Sequence, residues 1–213
     1  MNKITVIGAS SGIGLNAVKV GLSHGYNVCA FSRTADSIDI DHPNLNKISG
    51  DALNFEDVKK AITGSDAVIQ SLGVPFNIKL FTGPISLFSE STKVIVSAMT
   101  ELNVKRLISI TGFGAGDSKD SIHPLQRVGF NLVFGRAYSD KDKQESLIKD
   151  SKLSWTIVRP GVLVDCFKSN DYKVLIEKKE WRNGIISRYN VADFIINALD
   201  DDTLVHKSPA LVS

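Results

Sequence analysis

The sequence predicts an α/β fold with a doubly wound, mostly parallel sheet. Three observations favour this fold class. Strand-like apolar runs alternate with segments of helical periodicity along the chain, and such alternation requires crossover connections between parallel strands. The length of 213 residues allows one domain with a sizeable core. No linker, internal repeat or low-complexity tract interrupts it, so residues 1–213 are interpreted as a single domain.

The individual elements follow from periodicity and from the glycine and proline residues that end them. Strands are predicted over residues 4–7, 28–31, 47–48, 67–69, 105–111, 154–158 and 185–186. Helices are predicted over residues 13–24, 55–63, 87–102, 139–150 and 191–199. Residues 162–184 break the alternation, and we expect them to form a small C-terminal cap on the substrate side.

Composition excludes several classes of function. The hydrophobic content of 43% and the net charge of +2 give no reason to expect binding to nucleic acid or to a membrane. No apolar stretch has the length of a membrane span, and the N-terminus enters a strand pattern at once, so a cytoplasmic protein is expected. Two cysteines, Cys29 and Cys166, do not suffice for a disulfide scaffold or a zinc site, and no metal site is predicted.

Three glycines follow the first strand with the spacing G-x-x-x-G-x-G. The first allows a tight turn, the second a close approach of the backbone to a ligand, and the third close packing of the next helix. The N-terminus of that helix offers unpaired N–H groups to phosphate. The pattern therefore predicts a dinucleotide diphosphate site. Its expected contacts are Gly8, Ser10, Ser11, Gly12, Ile13 and Gly14.

The end of the second strand indicates which dinucleotide is bound. An NAD site places a carboxylate there to accept from the ribose 2′-hydroxyl, but the sequence reads Ser32-Arg33-Thr34, with no acid before Asp36. A guanidinium pairs well with a 2′-phosphate, and the two hydroxyls can donate to the same group. NADP (NADPH) is therefore the predicted cofactor.

Six segments in order resemble the atypical branch of the short-chain dehydrogenase/reductase superfamily, with its NmrA-like and biliverdin reductase B-like members. These are VIGASSGIG at 6–14, GDALN at 50–54, SLG at 71–73, VKRLISITGFGAG at 104–116, SKLSWTIVRPGVL at 151–163 and ISRYNVADFI at 186–195. The resemblance covers nearly the whole chain and implies a Rossmann-type fold. It further implies cofactor contacts from Asp51, Ala52, Leu53, Ser71, Leu72, Gly73, Thr111, Lys143, Pro160, Gly161 and Val162.

The sequence departs from this superfamily at the catalytic pair. Active members carry a Tyr and a Lys four residues apart on one helix face, where the Tyr protonates substrate. Lys143 aligns best with the Lys, but Ser139 stands four residues before it, whereas Tyr138 pairs by spacing with Lys141. Three alternatives remain: Tyr138 reaches the site, Thr111 or solvent supplies the proton, or no catalysis occurs. Thr111, Tyr138 and Lys143 are the candidate catalytic residues, with His123 as a weaker candidate donor.

Two functions are compatible with these residues. The first is an NADPH-dependent oxidoreductase that transfers hydride to a small carbonyl, quinone or flavin-like acceptor. The second is an NADP(H)-binding sensor of NmrA-like type without turnover, and a transient use of cofactor in an isomerase or epimerase is a third. An apolar acceptor cleft is expected from Phe76, Phe81, Phe113, Phe130, Phe134 and Val162. We expect a monomer or homodimer that acts on a small molecule.

Overall fold

The structure is a computed structural model, and it describes residues 1–73, 86–121, 124–165 and 171–213, without the side chains of 121 and 124–134. The strands are β1 Lys3–Ile7, β2 Asn27–Ser32, β3 Leu45–Ser49, β4 Ala67–Gln70, β5 Arg106–Ile110, β6 Ser154–Pro160, β7 Val162–Val164, β8 Lys173–Leu175, β9 Ile185–Ser187 and β10 Ala210–Val212. The α-helices are α1 Gly12–Ser23, α2 Phe55–Ile62, α3 Leu87–Glu101, α4 Pro124–Lys149 and α5 Arg188–Asn197.

Eight of these strands form one sheet in the order β3-β2-β1-β4-β5-β6-β10-β8. All neighbouring pairs are parallel except β10 and β8, which are antiparallel. The winding direction reverses between β1 and β4, and in such sheets ligands bind beyond the carboxyl ends of the strands at this reversal. The predicted doubly wound α/β fold is therefore confirmed.

The helices cover both faces of the sheet. On one face α1 and α5 pack together and bury Ile4 and Val6 of β1. On the other face α2, α3 and α4 lie side by side, above Ile7 of the same strand. Alternate residues of β1 therefore enter two separate cores, as expected for a strand covered on both sides.

The predicted and observed elements differ mainly after residue 120. Helix α4 begins at Pro124 rather than at residue 139, and three strands of three residues each, β7, β8 and β10, were not predicted. In the segment predicted as a cap, β7 pairs with β9, while β8 joins the edge of the main sheet. The cap itself remains a prediction.

Several sequence-based expectations lie outside the described residues. These are His123, Cys166, Phe76 and Phe81, together with the side chains of Phe130 and Phe134. Phe113 is described, and it packs in a small cluster with Leu175 and Val212 rather than along the cleft. Val162 is exposed and does not line the cleft either. Neither of the two described residues that were expected in an apolar acceptor cleft is therefore found there.

Candidate functional site

The glycine-rich segment, residues 8–14, forms the turn between β1 and α1 and is called the phosphate turn below. Gly8 has a φ of +90°, and a Cβ at this position would lie 2.4 Å from the carbonyl oxygen of Ser71 at the end of β4. A Cβ at Gly14 would lie 2.1 Å from the carbonyl oxygen of Gly8. Glycine is thus required at both positions, because the backbones approach too closely for a side chain.

The N-terminus of α1 is open toward this turn. Ser11 occupies the cap position with extended backbone, but its hydroxyl makes no capping hydrogen bond, and the first turn of the helix holds no acidic residue. The first N–H groups of a helix have no partner within the helix. The phosphate turn therefore presents backbone donors and a partial positive charge to an anion.

The end of β2 lies beside the phosphate turn, because Gly8 N–H donates to the Phe31 carbonyl at 2.8 Å. The Ser32 hydroxyl oxygen is buried and has no hydrogen-bond partner among the described residues. Arg33 and Thr34 are exposed and line the same cleft. Asp36, the first acid after β2, accepts a 2.6 Å hydrogen bond from Ser49 and does not line the cleft.

A cleft of about 890 Å³ runs along the carboxyl ends of β2, β1, β4 and β5. It brings together most of the predicted contacts: Gly8, Ser10, Ser11, Gly12, Ile13, Ser32, Arg33, Thr34, Asp51, Ala52, Leu53, Ser71, Leu72, Gly73, Thr111 and Pro160. It does not include Gly14, Tyr138, Lys143, Gly161 or Val162. Gly14 and Gly161 instead serve close backbone packing, since a Cβ on Gly161 would lie 2.3 Å from the Gly184 carbonyl oxygen.

Lys141 and Thr111 lie at one end of this cleft, which we call the helix end because Lys141 belongs to α4. The Lys141 ammonium donates to the Thr111 carbonyl oxygen, and its nitrogen lies 5.0 Å from the ring centre of Phe88 and 5.3 Å from that of Tyr138. Burial lowers the pKa of Lys141 to about 8, against the opposing attraction of Glu145. A cation with this pKa changes protonation near neutral pH.

The hydroxyl of Thr111 is held by a buried ion pair. It donates to Glu145 at 2.9 Å, and Glu145 also accepts from Nε and Nη2 of Arg159, at 3.0 and 2.5 Å. Arg159 Nη2 donates to Asp117 as well. Burial raises the pKa of the Asp117 carboxyl, but the nearby Arg159 charge outweighs this and leaves that pKa below its usual range. Thr111 therefore offers lone pairs, rather than its proton, to the cleft.

The other two catalytic candidates lie elsewhere. Lys143 is exposed and points away from the cleft, on the side of α4 opposite Lys141. Tyr138 is half-buried, and its hydroxyl would lie 2.7 Å from a Cβ built on Gly112. Burial raises the pKa of Tyr138 to about 12. The structure thus brings Lys141 into the cleft, whereas Lys143, the lysine that the sequence comparison favoured, lies outside it.

The register of α4 explains this shift of two residues. Over residues 135–149 its buried positions are Ala137, Asp140, Gln144, Glu145 and Ile148, which recur at helical spacing. Asp140 accepts from the backbone N–H of Phe88 at 2.8 Å and from the Ser89 hydroxyl at 2.5 Å, which fixes α4 against the start of α3. Lys141 lies on this inner side of the helix, whereas Lys143 lies on the outer side.

Eight residues that line the cleft were not among the predicted contacts: Ile7, Phe31, Gly50, Leu87, Ile110, Lys141, Leu163 and Arg188. Leu87 begins α3, Leu163 lies in β7, and Arg188 begins α5. Leu163 comes from the short strand pair β7–β9, and Arg188 comes from the helix that follows β9. No glycine pattern in the sequence indicates these elements. The segment ISRYNVADFI contains Arg188, but the resemblance assigns it only to the closing of the domain.

Comparison with known proteins decides the family. A family model described as NAD(P)H-binding matches residues 8–202. The chain belongs to this NAD(P)H-binding family. This match bears out the predicted resemblance to NAD(P)-binding proteins, and the fold is shared with a solved short-chain dehydrogenase/reductase.

Relatives of this NAD(P)H-binding chain support the same fold. An uncharacterized oxidoreductase from Schizosaccharomyces pombe is 39% identical over 77 residues, which are 33% of this chain and 26% of that protein. A Veillonella parvula short-chain dehydrogenase/reductase, solved in complex with NADP, superposes with a TM-score of 0.84 at 18% identity, covering 100% of this chain and 94% of that one. The anaerobillin reductase ChuY from Escherichia coli O157:H7 gives a TM-score of 0.80 at 20% identity, with 100% and 97% coverage.

The cleft residues fit the dinucleotide that this family binds. The phosphate turn contributes Gly8, Ser10, Ser11 and Gly12 to the lining of the cleft, beside the N-terminus of α1. The Ser32 hydroxyl, which has no partner among the described residues, provides a polar group at the end of β2, and Arg33 adds a positive charge there. Among the described helices, none is both long and apolar enough to cross a membrane.

Proposed function

We propose that the protein is an NADPH-dependent oxidoreductase that reduces a small carbonyl, quinone or flavin-like acceptor. The observation that carries this proposal is a single cleft that holds the phosphate turn, the Ser32-Arg33-Thr34 segment and the Lys141–Thr111 pair. The first two features suit the binding of a phosphorylated dinucleotide. The third provides a charged proton source at the other end of the same cleft.

The preference for NADPH rests on the end of β2. Arg33 lines the cleft there, and its planar guanidinium suits a 2′-phosphate. The first acid that follows β2 in the chain, Asp36, accepts from Ser49 and does not line the cleft, so it is not placed where an NAD site holds its carboxylate. Ser32 Oγ is an additional donor without a competing partner among the described residues.

When bound, the nicotinamide ring supplies the hydride. The chain's own residues orient the ligands and provide the proton. Lys141 has three donors, of which one is directed at the Thr111 carbonyl, and the others are available to a ribose hydroxyl or to the oxygen of the acceptor. Thr111 accepts rather than donates in the cleft, because its hydroxyl donates its hydrogen bond to Glu145.

The position of Tyr138 favours the second candidate function, a redox sensor that binds NADP(H) without turnover. In active short-chain reductases a Tyr protonates the substrate, whereas here Tyr138 does not line the cleft. If Lys141 does not replace that proton donor, the cleft binds cofactor only. The acceptor assay below separates the two functions.

Titration with NADPH and NADH tests the cofactor preference. We expect wild-type protein to bind NADPH more tightly, and Arg33→Asp to weaken NADPH binding about 100-fold while changing NADH binding only a few-fold. Equal losses for both dinucleotides would contradict the role of Arg33. Absence of binding to either would refute the whole proposal.

NADPH oxidation against a panel of quinones, flavins and aldehydes tests for turnover. We expect a rise in rate with at least one acceptor class. Tight NADPH binding without oxidation by any member of the panel would instead support the sensor.

A further inference from the structure

Arg188 lies beside the phosphate turn, although it comes from the far end of the chain. It is the first residue of α5, and its place is fixed by Ser187, whose hydroxyl caps this helix by accepting from Asn190 N–H at 3.1 Å. Its side chain lines the cleft. Its Cδ and Nε atoms lie 3.9 and 4.0 Å from the point where a Cβ on Gly12 would stand.

The guanidinium of Arg188 is only partly engaged. Its Nη1 donates to Asp165 at 2.8 Å, and the Asp165 side chain is 78% exposed. Such exposed ion pairs contribute little to stability, because water solvates both partners well. A guanidinium carries five N–H donors, so most of its donors remain for a second anion. Nε, which lies 4.0 Å from the Cβ position at Gly12, is one of them.

Positive charges are spaced along the cleft. Among the described residues that line it, the cations are Arg33, Lys141 and Arg188. The sheet order β2-β1-β4-β5 places Arg33 at one end, Lys141 near the end of β5, and the phosphate turn between them. Arg188 is therefore the cation nearest the middle of a bound dinucleotide, which is where the diphosphate lies.

We propose that Arg188 binds the diphosphate of the cofactor through the donors that Asp165 leaves unused. The proposal rests on the proposed function only in requiring a dinucleotide in this cleft; it depends neither on NADP preference nor on turnover. The phosphate turn supplies neutral backbone donors, and Arg188 adds the full charge that they lack. A guanidinium suits this role because it binds two phosphate oxygens at once.

The distinguishing property of this contact is the part of the ligand it recognises. The diphosphate is common to NADPH and NADH, whereas the 2′-phosphate is present only in NADPH and in adenosine 2′-monophosphate. Loss of Arg188 should therefore weaken both dinucleotides by the same factor and leave adenosine 2′-monophosphate unaffected. Loss of Arg33 should give the opposite pattern.

The experiment compares Arg188→Gln with wild type by calorimetric titration with NADPH and NADH, and by competition with adenosine 2′-monophosphate. We expect about tenfold weaker binding of both dinucleotides and less than a twofold change for the monophosphate. Asp165→Asn is the matched control, since it breaks the same ion pair and keeps the arginine. It should change dinucleotide affinity less than twofold.

Four outcomes would overturn the proposal. Unchanged dinucleotide binding in Arg188→Gln, beside normal wild-type binding, removes the contact and leaves the proposed function intact. An equal loss in Asp165→Asn shows that the ion pair acts through local structure, and an equal loss for the monophosphate shows an effect on the whole cleft. Failure of wild-type protein to bind either dinucleotide refutes both proposals. If Arg188→Gln does not fold, Arg188→Lys serves instead, with an expected loss of about threefold confined to the dinucleotides.

Discussion

The phosphate turn and the helix end of the cleft are built by different means. In the phosphate turn the geometry is a property of the backbone: Gly8 and Gly14 allow chain segments to approach within distances that exclude a Cβ. At the helix end it is a property of side chains. Lys141, Thr111 and Glu145 are positioned by hydrogen bonds and by the register of one long helix.

This difference decides how each region responds to change. A backbone cradle tolerates substitution of the side chains around it but not of its glycines, because the added atom meets main chain that does not move. A side-chain site depends on which face of a helix is buried, and a shift of two residues along the chain moves a lysine from the cleft to solvent. The predictions below test this contrast.

Gly8→Ala should cause the largest loss. The methyl group would meet the Ser71 carbonyl at 2.4 Å, in a backbone conformation with φ of +90° that side chains disfavour. We expect NADPH affinity to fall at least 100-fold and the melting temperature to drop by about 10 °C. Calorimetric titration and thermal unfolding measure the two effects.

Gly25→Ala separates the clash from the backbone strain. Gly25 has a similar φ of +84°, but a Cβ there would meet nothing within 4 Å, and Gly25 lies at the far end of α1. We expect a loss of about 1 kcal/mol in the free energy of unfolding and no change in NADPH affinity. Unchanged affinity in Gly8→Ala, or equal effects of the two substitutions, would contradict the backbone cradle.

Lys141→Met should cause the next largest effect. If Lys141 supplies the proton, kcat with a responsive acceptor falls about 100-fold; if the protein is a sensor, NADPH affinity falls about tenfold instead. Lys143→Met is the matched control, since it removes the same group from the exposed side of the helix. It should change either quantity less than twofold.

Tyr138→Phe completes this comparison. Because Tyr138 does not line the cleft and burial raises its pKa to about 12, we expect kcat to remain within twofold of wild type. A 100-fold loss here, with little loss in Lys141→Met, would show that the tyrosine is the donor after all. The helix end would then resemble active short-chain reductases more closely than its spacing indicates.

The contrast also explains what the sequence could predict. The phosphate turn was predictable because glycine spacing after a strand reports a backbone requirement directly, and the end of β2 followed from its position in the motif. The inner side of α4 was not predictable, because four of its six residues between 135 and 149, namely Asp140, Lys141, Gln144 and Glu145, are polar or charged. A search for hydrophobic periodicity reads such a face as solvated.

The sequence did not predict Arg188 as a cleft residue, or the short strands, for another reason. Strands of three residues such as β7, β8 and β10 are too short to show an alternating pattern, and they exist because they pair with strands distant in sequence. Arg188 reaches the phosphate turn only through that long-range packing of α5 on α1. The periodicity used for the sequence reading extends over one element at a time, so it does not detect such a contact.

The smallest expected effect is a pH dependence of stability at the helix end. Burial lowers the pKa of Lys141 to about 8, below the value near 10.4 of an unfolded chain. Between these two values the unfolded state binds more protons than the folded state, so this residue makes wild-type stability rise with pH. The stability of Lys141→Met should not show this increase with pH, because the variant has no ammonium group at this position. At pH 7 it is also free of the cost of burying an ammonium group.

Urea unfolding at pH 7 and pH 9.5 measures this effect as a difference between variants. The free energy of unfolding of Lys141→Met, relative to that of wild type, should decrease by about 1 kcal/mol between pH 7 and pH 9.5. The expected difference is this small because the Lys141 side chain is only partly buried and water in the cleft screens its charge. Lys143→Met should show the same difference from wild type at both pH values. A pH-independent difference for Lys141→Met as well would mean that its ammonium is fully solvated, in which case the helix end is an open surface and offers no tuned proton donor.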